Sequence, residues 1–287
     1  MKPGTPTLRF APSPNGRLHL GHAYSALLNA DLAARMGGIC RLRIEDIDPQ
    51  RSKPDLVAGL VADLAWLGLT YPEPVRHQSR HMEAYRAALD ILAGRGLAYP
   101  CFCSRGEIRA RAAFDSECPC DPDGVPLYPG LCRGLDPADA ADRIARGDPH
   151  TWRLDMRAAL GCITTPLGYI AFDDTGARWV SADPARWGDV VIARRDVPTS
   201  YHLAVVHDDA AEGVTHVVRG LDLEAATDLH VLLQALLDLP APDYRHHPLV
   251  RDATGEKLAK SRGSQSLADL RQAGVTPEAI RARLGFA

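Results

Sequence analysis

The chain has 287 residues, of which 46% are hydrophobic and 24% charged, the composition of a folded globular protein rather than a disordered or fibrous one. Lys and Arg total 33 and Asp and Glu 36, a formal net charge of -3, so no global positive field favours nucleic acid and any RNA contact must be local. The amino terminus lacks the apolar core of a secretory signal, and no run of about 18 apolar residues occurs, so we expect a cytoplasmic protein without a membrane partner.

The first hundred residues alternate predicted strands with predicted helices. Strands are predicted at Thr7–Ala11 and Cys40–Ile44, and helices at Leu18–Met36, Asp55–Leu67 and Arg80–Ala93. Because parallel strands need long crossover connections, this alternation is typical of an α/β domain with a parallel sheet.

The composition changes between Pro100 and about Ala185, where Cys, Gly, Pro and Asp are dense and only short strand-like runs such as Tyr169–Phe172 occur. We interpret this stretch as an insertion that splits the sheet. Beyond it, strands are predicted at Asp189–Ile192 and Thr215–Arg219, and helices at Tyr201–Val206, Ala225–Leu237, Leu267–Gln272 and Pro277–Leu284. The predicted organisation is an α/β domain in two halves, residues 1–100 and 189–240, an insertion over residues 101–188, and a C-terminal segment over residues 241–287.

Two histidines, His19 and His22, follow a proline-rich turn at the start of the first predicted helix. The unpaired N–H groups and the positive end of a helix dipole favour an anion there, and imidazoles can donate to charge that develops on a phosphate. Gly21 between them leaves room for a flat base. Taken alone, the pattern is equally typical of histidines that merely cap or pack a helix.

A second motif, Lys257-Leu-Ala-Lys260-Ser261, lies between Gly255 and Gly263 near the end of the chain. A mobile cationic loop of this kind can close on ATP and neutralise the departing pyrophosphate. Without other signals, such a stretch is more typical of a solvated surface turn.

Together, the two motifs resemble those of the class I aminoacyl-tRNA synthetases, in which they grip ATP from opposite sides. The segments RFAPSP at 9–14, LRIEDID at 42–48, YHLA at 201–204 and HVVRG at 216–220 also resemble the glutamyl-tRNA synthetase catalytic core, in matching order. The resemblance implies a ligase with a Rossmann-like parallel sheet split by a zinc-bearing insertion, and a short helical C-terminal segment. Since little sequence follows Lys260, no anticodon-binding domain is expected.

The short chain, with RIEDIDP at 43–49 and a Cys-x-Cys insertion, most resembles the glutamyl-queuosine tRNA(Asp) synthetases. In that family glutamate is joined to queuosine, whose cyclopentenediol is a cis-diol like the terminal ribose of tRNA. The resemblance implies ATP with Mg²⁺, L-glutamate and queuosine-containing tRNA(Asp) as partners of a monomeric enzyme. An ordinary glutamyl-tRNA synthetase core, a nucleotidyltransferase and a non-catalytic zinc-bearing RNA adaptor are the alternatives.

Glutamate carries two carboxylates and one ammonium, so its site needs at least two cations and one anion. Arg9, Arg219 and Glu45 meet that count, and each ends a predicted strand, at the carboxyl edge where α/β sheets bind ligands. Which arginine holds which carboxylate stays open.

The family resemblance implies roles for further residues. It adds Phe10, Ala11, Pro12, Ser13 and Tyr201 to the glutamate pocket, makes His19, His22 and Lys260 catalytic, and gives Gly21, Lys257 and Ser261 contacts to ATP. Asp208 and Asp209 are interpreted as structural rather than as metal ligands.

Five of the seven cysteines lie close together: Cys101, Cys103, Cys118, Cys120 and Cys132. In a reducing compartment this clustering favours a metal site over disulfides. The residues alone favour zinc on Cys101, Cys103 and two of the other three thiols. The family pattern implies Cys101, Cys103, Tyr128 and Cys132 instead, and thiols without zinc are a further alternative.

Overall fold

The computed structural model describes residues 4–113, 119–250 and 265–286. Its strands are β1 (Thr7–Phe10), β2 (Ile39–Ile44), β3 (Arg76–His77), β4 (Ala98–Cys101), β5 (Thr151–Leu154), β6 (Gly168–Asp173), β7 (Gly176–Ser181), β8 (Val191–Ala193), β9 (His216–Gly220) and β10 (Asp243–His247). Its helices are α1 (Leu20–Arg35), α2 (Pro54–Trp66), α3 (Met82–Gly94), α4 (Arg105–Ala113), α5 (Pro137–Ala145), α6 (Met156–Gly161), α7 (Tyr201–Ala211), α8 (Ala226–Leu236), α9 (Leu267–Gln272) and α10 (Pro277–Arg283).

The parallel strands form two sheets that meet edge to edge. One has the parallel order β1-β2-β3, and in the other β9, β10 and β6 are parallel, with β7 added antiparallel to β6. Strands β1 and β9 adjoin, and the N–H of Thr215 donates to the carbonyl of Thr7 at 2.9 Å. The prediction of an α/β fold with a parallel sheet is confirmed.

A third sheet departs from the sequence interpretation. Strands β4, β5 and β8 pair antiparallel, so the strand predicted at Asp189–Ile192 joins β5 rather than the parallel sheet, and that part of the prediction is wrong. Conversely, the run at Tyr169–Phe172 lies in β6, beside β10. A three-residue apolar strand fits either environment, so its sequence does not select the partner. The domain limits at residues 100, 188 and 240 stay predictions.

The C-terminal helices support the start of α1. Leu267 and Ile280 belong to the same buried cluster as Leu18 and Leu60, and the N–H of Leu267 donates to the carbonyl of Leu18 at 2.8 Å. This packing fixes the segment immediately before His19. None of the helices within the described ranges is long and apolar enough to cross a bilayer.

Asp208 joins α7 to three other parts of the chain. Its carboxylate is fully buried and accepts hydrogen bonds from Arg76 Nε at 2.8 Å, Gln78 Nε2 at 2.9 Å and the Tyr85 hydroxyl at 2.8 Å. Its neighbour Asp209 faces two arginines rather than solvent. Both contact sets fit the structural interpretation of this acidic pair.

Replacing Asp208 with Asn should lower the free energy of unfolding by about 3 to 5 kcal/mol, because Arg76 would lose its buried anionic partner. Burial raises the pKa of this carboxyl, but the hydrogen bond from His207 and the charge of Arg43 outweigh burial and lower the pKa of Asp208 to about 2. A carboxylate with a lowered pKa stabilises the fold fully above its unfolded pKa of about 4 and loses that contribution as the pH falls. The difference between the two proteins should therefore shrink between about pH 4 and 2.

Urea unfolding followed by circular dichroism measures the free energy of unfolding, and repeating it between about pH 4 and 2 measures how the difference between the two proteins changes. Asp31→Asn is the matched control, because Asp31 forms an exposed pair with Arg35 on α1, and its loss should change the free energy by about 0.5 kcal/mol or less. Equal effects of the two substitutions would contradict the role assigned to Asp208.

Candidate active site

A cavity of about 640 Å³ opens at the carboxyl ends of β1, β2 and β9. All eight residues predicted for the glutamate pocket line it: Arg9, Phe10, Ala11, Pro12, Ser13, Glu45, Tyr201 and Arg219. His19, Gly21 and His22 line the same cavity, as do Asn15, Ser25, Asp222 and His247, which the sequence analysis did not single out. Lys257, Lys260 and Ser261 lie outside the described residues.

His19 and His22 cap the start of α1 reciprocally. His19 Nδ1 accepts from the N–H of Gly21 at 3.1 Å, and His22 Nδ1 accepts from the N–H of His19 at 3.2 Å. A ring nitrogen that accepts carries no proton, so each neutral imidazole holds its proton on Nε2. The capping and anion-binding interpretations are therefore compatible, because the cap fixes the tautomer that donates from Nε2.

A histidine ring lies close to Gly21. A Cβ at this position would lie 3.0 Å from Cε1 and 3.1 Å from Nδ1 of His19. A larger residue here would therefore require that ring to shift by a few tenths of an ångström. That Gly21 also admits a flat base stays a prediction.

Arg9 reaches the cavity from the end of β1 and is held by an acid on α7. Its Nε donates to Asp209 Oδ1 at 3.0 Å, and the same oxygen accepts from Arg43 Nη1 at 2.7 Å. Burial raises the pKa of Asp209, but the charges of Arg43 and Arg9 outweigh it and lower the pKa below its usual range. Asp209 is thus a stable anion that orients Arg9.

Glu45 provides the anion of the cavity. Its N–H donates to the carbonyl of Pro12 at 3.1 Å, which ties the end of β2 to the turn after β1, and its Oε1 lies 3.5 Å from Arg43 Nη2. Burial raises the pKa of this carboxyl, opposed by the neighbouring arginines. A buried carboxylate with only a long ion-pair contact among the described residues is suited to receiving an ammonium group.

Arg219 differs from Arg9 in its partners. Its guanidinium is buried, and its hydrogen bonds go to His230, Thr227 and His246, which are polar but uncharged. Among the described residues, no carboxylate oxygen lies within the 4.0 Å of an ion pair with Arg219. The sequence analysis missed these partners, although Thr227 and His230 lie three residues apart on a mainly apolar helix.

Three thiols converge beyond β4. The Sγ atoms of Cys101, Cys103 and Cys132 lie within 4.8 Å of one another, with those of Cys103 and Cys132 3.5 Å apart. The Tyr128 hydroxyl lies 3.6 Å from Cys103 Sγ and accepts from the N–H of Cys132 at 2.8 Å. The structure thus brings together the four ligands of the family pattern, in a cluster that could bind a metal.

The other two of the five clustered cysteines are Cys118 and Cys120. Cys120 is exposed and forms an isolated β-bridge with Pro126, and within the described ranges its sulfur is not part of the thiol cluster. Cys118 lies outside the described residues. Among the described residues, the structure does not bring Cys120 together with Cys101, Cys103 and Cys132.

The sequence of residues 7–286 matches the family described as class I tRNA synthetases (E and Q), catalytic domain. The glutamyl-Q tRNA(Asp) synthetase of Rhodobacter capsulatus is 47% identical over 97% of this chain and 99% of its own length. That of Symbiobacterium thermophilum is 41% identical over 97% of this chain and 85% of its own length.

A solved structure is also similar. The crystal structure of a glutamate tRNA ligase from Elizabethkingia meningosepticum, in complex with its amino acid, superposes with a TM-score of 0.73 at 26% identity and covers 90% of this chain. This chain covers 52% of that protein, about half of its length. The chain belongs to the class I tRNA synthetases for glutamate and glutamine, a family of ligases, and within it to the group whose members are named glutamyl-Q tRNA(Asp) synthetase.

Proposed function

We propose that the protein activates L-glutamate with ATP to glutamyl-adenylate in the absence of tRNA, and transfers the glutamate to the cyclopentenediol of queuosine in the anticodon of tRNA(Asp). One observation carries the first step. Two arginines, an acid and a histidine pair that starts a helix line a single cavity built by this chain alone. This chain's own residues therefore supply the charges that glutamate needs, which supports activation without tRNA.

Activation joins an oxygen of the glutamate α-carboxylate to the α-phosphorus of ATP and breaks the bond from that phosphorus to the bridging oxygen of pyrophosphate. His19 and His22 would donate from Nε2 to α-phosphate oxygens, where charge accumulates in the transition state. Mg²⁺ carried with ATP would neutralise charge on the pyrophosphate. Arg9, Arg219 and Glu45 hold the amino acid so that its α-carboxylate faces the phosphate.

Transfer needs a nucleophilic hydroxyl beside the adenylate. A diol oxygen of queuosine attacks the glutamyl carbonyl carbon, the bond to AMP breaks, and the hydroxyl proton leaves with AMP or to water. The relatives named glutamyl-Q tRNA(Asp) synthetase support this acceptor, because they match nearly the whole of this chain and most of their own length. The glutamate–tRNA ligase 2 of Nitrosococcus oceani is 38% identical, but this chain covers only 58% of it.

The thiol cluster fits zinc. Thiolates bound at about 2.3 Å to a tetrahedral zinc ion have sulfur atoms about 3.8 Å apart, close to the 3.5 Å between Cys103 and Cys132. Zinc held there, with Cys101 and Tyr128 completing the set, would contribute folding free energy to the insertion.

Purified protein should show glutamate-dependent exchange of pyrophosphate into ATP without tRNA, and glutamine should be at least about 30-fold poorer. Glutamine lacks the side-chain carboxylate, which leaves a buried guanidinium without its anion at a cost of about 2 to 5 kcal/mol. Arg219→Ala should abolish exchange. Arg245→Ala is the control, because Arg245 pairs with Asp174 and does not line the cavity. Exchange that appears only after tRNA is added would disprove tRNA-independent activation.

The acceptor is tested with radiolabelled glutamate and tRNA(Asp) from cells that can and cannot make queuosine. Only the queuosine-containing tRNA should become labelled, and periodate oxidation of its diol should prevent labelling. A nuclease digest should place the label in the anticodon loop. Equal labelling of both tRNAs, with the label on the terminal adenosine, would instead identify an ordinary glutamyl-tRNA synthetase core.

Metal analysis of protein purified without chelator should find one zinc per chain. Cys101→Ser and Cys132→Ser should lose the metal and lower the melting temperature, and Tyr128→Phe should weaken retention against a chelator. Cys120→Ser is the matched control, since its sulfur lies outside the thiol cluster, and it should keep the metal. Loss of zinc in Cys120→Ser with full retention in Tyr128→Phe would show that the ligand set is wrong.

A further inference from the structure

The guanidinium of Arg219 sits in a cradle of neutral side chains, Thr227, His230 and His246. Nη1 lies 3.0 Å from His230 Nδ1, Nη2 donates to Thr227 Oγ1 at 2.8 Å, and Nε donates to His246 Nε2 at 3.4 Å. Thr227 and His230 are almost completely buried. Every nitrogen of the guanidinium therefore has a protein acceptor that carries no negative charge.

Arginine can only donate, and this fixes the direction of the hydrogen bonds around it. His230 Nδ1 must accept from Arg219, so the proton of the neutral ring lies on Nε2, which faces His202 Nδ1 at 3.1 Å. His246 Nε2 accepts from Arg219 Nε and therefore carries no proton, so in its 3.1 Å contact with Thr227 Oγ1 the hydroxyl donates to the ring. The two histidines in contact with Arg219 are acceptors by geometry.

Burial and the charge of Arg219 keep these rings neutral. The pKa of His230 lies well below its usual range, mainly because the ring is buried and secondly because Arg219 is close. The same two causes lower the pKa of His202 to about 4 and that of His246 to about 3. At neutral pH the cradle therefore adds no charge of its own.

The contrast with Arg9 indicates what this arrangement does. Arg9 shares its charge with Asp209, whereas Arg219 keeps its whole charge and presents it to the cavity. A carboxylate in place of His230 would hold the guanidinium equally well but would neutralise it. An apolar residue there would leave a buried N–H without an acceptor.

We infer that His230, supported by Thr227, is a positioning residue that holds Arg219 in place for a carboxylate of glutamate while leaving its charge uncompensated, and thereby contributes to the choice of glutamate over glutamine. This inference rests on the proposed function. His230 does not line the cavity, so it acts through Arg219 rather than by touching the substrate.

The test compares three substitutions of His230 in tRNA-independent pyrophosphate exchange. In His230→Asn, the amide oxygen can take the place of Nδ1 and accept from Arg219. In His230→Gln, the amide oxygen takes the place of Nε2 and reaches toward His202, so Arg219 loses its acceptor. In His230→Leu, neither ring nitrogen is replaced. His230→Leu and His230→Gln should raise the KM for glutamate about 10- to 100-fold and reduce the preference over glutamine, with the KM for ATP unchanged within about twofold. His230→Asn should stay within about threefold of the wild type. His216→Leu, at the other end of β9, is the control.

Thr227→Val keeps the side-chain shape and removes the acceptor for Nη2 of Arg219. It should therefore also raise the KM for glutamate and leave the KM for ATP unchanged. If His230→Leu fails to fold, Thr227→Val tests the inference in its place. An unchanged KM for glutamate in folded His230→Leu, or an equal change in the KM values for glutamate and ATP, would overturn the inference. No exchange with any amino acid in the wild type would refute the proposed function instead. Ring ¹⁵N resonances of the wild type then test the cradle directly, because a protonated Nδ1 on His230 would overturn it.

Discussion

Arg43 is completely buried, and the arrangement of the cavity depends on how its charge is shared. Its Nη1 lies 2.7 Å from Asp209 and 3.0 Å from Glu212, and Nη2 lies 3.5 Å from Glu45. Burial lowers the pKa of this guanidinium, but the surrounding carboxylates outweigh burial and raise it well above its usual value. Three arginines, Arg9, Arg43 and Arg76, thus face four acids in the described part of this network: Glu45, Asp208, Asp209 and Glu212. One negative charge exceeds the cations, and Glu45, with its long contact, is where an ammonium group would complete the balance.

The cavity therefore presents unmatched charges of both signs at separate points. Glu45 belongs to the network around Arg43, and Arg219 belongs to the neutral cradle on α8 and β10. If Glu45 and Arg219 paired with each other, neither would be left to bind the opposite charge of a zwitterionic ligand. Because each is instead held by its own set of protein contacts, the ammonium group of an amino acid can pair with Glu45 and one of its carboxylates with Arg219 without rearrangement of these side chains.

The sequence predicts the elements that carry strong periodicity and misses those defined by their partners. Helices α1, α2 and α8 are found close to their predicted ranges, because an apolar stripe and glycine or proline boundaries are local signals. Strand β10, DYRHH, is missed because its residues are polar and it follows two prolines, although Tyr244 is buried between β6 and β9. Likewise Arg43 lies within a quoted motif, but only the fold brings Asp209 to it.

The site residues also differ in whether the sequence alone can predict them. Arg9, Glu45 and Arg219 are predictable because strand ends meet at one sheet edge, and charge counting then selects them. Thr227, His230 and His246 are not, because their role depends on the donor-only chemistry of Arg219 and on contacts between α8, β9 and β10. The motif with Lys257, Lys260 and Ser261 lies outside the described residues, so its part in the site rests on the sequence alone.

A single carboxylate oxygen links the proposed substrate pocket to the buried charge network. Asp209 Oδ1 accepts from Arg9, which lines the cavity, and from Arg43, which is buried beneath it. Arg43 Nε also lies 4.0 Å from Asp208, whose other partners fix the segment after β3 and the start of α3. A change that moves α7 relative to the sheet must therefore move the orientation of Arg9. Arg219 is held directly by residues of α8 and β10, and His202 of α7 contacts one of them, His230, at 3.1 Å. Both arginines of the proposed glutamate pocket therefore depend on α7, Arg9 through Asp209 and Arg219 through His230.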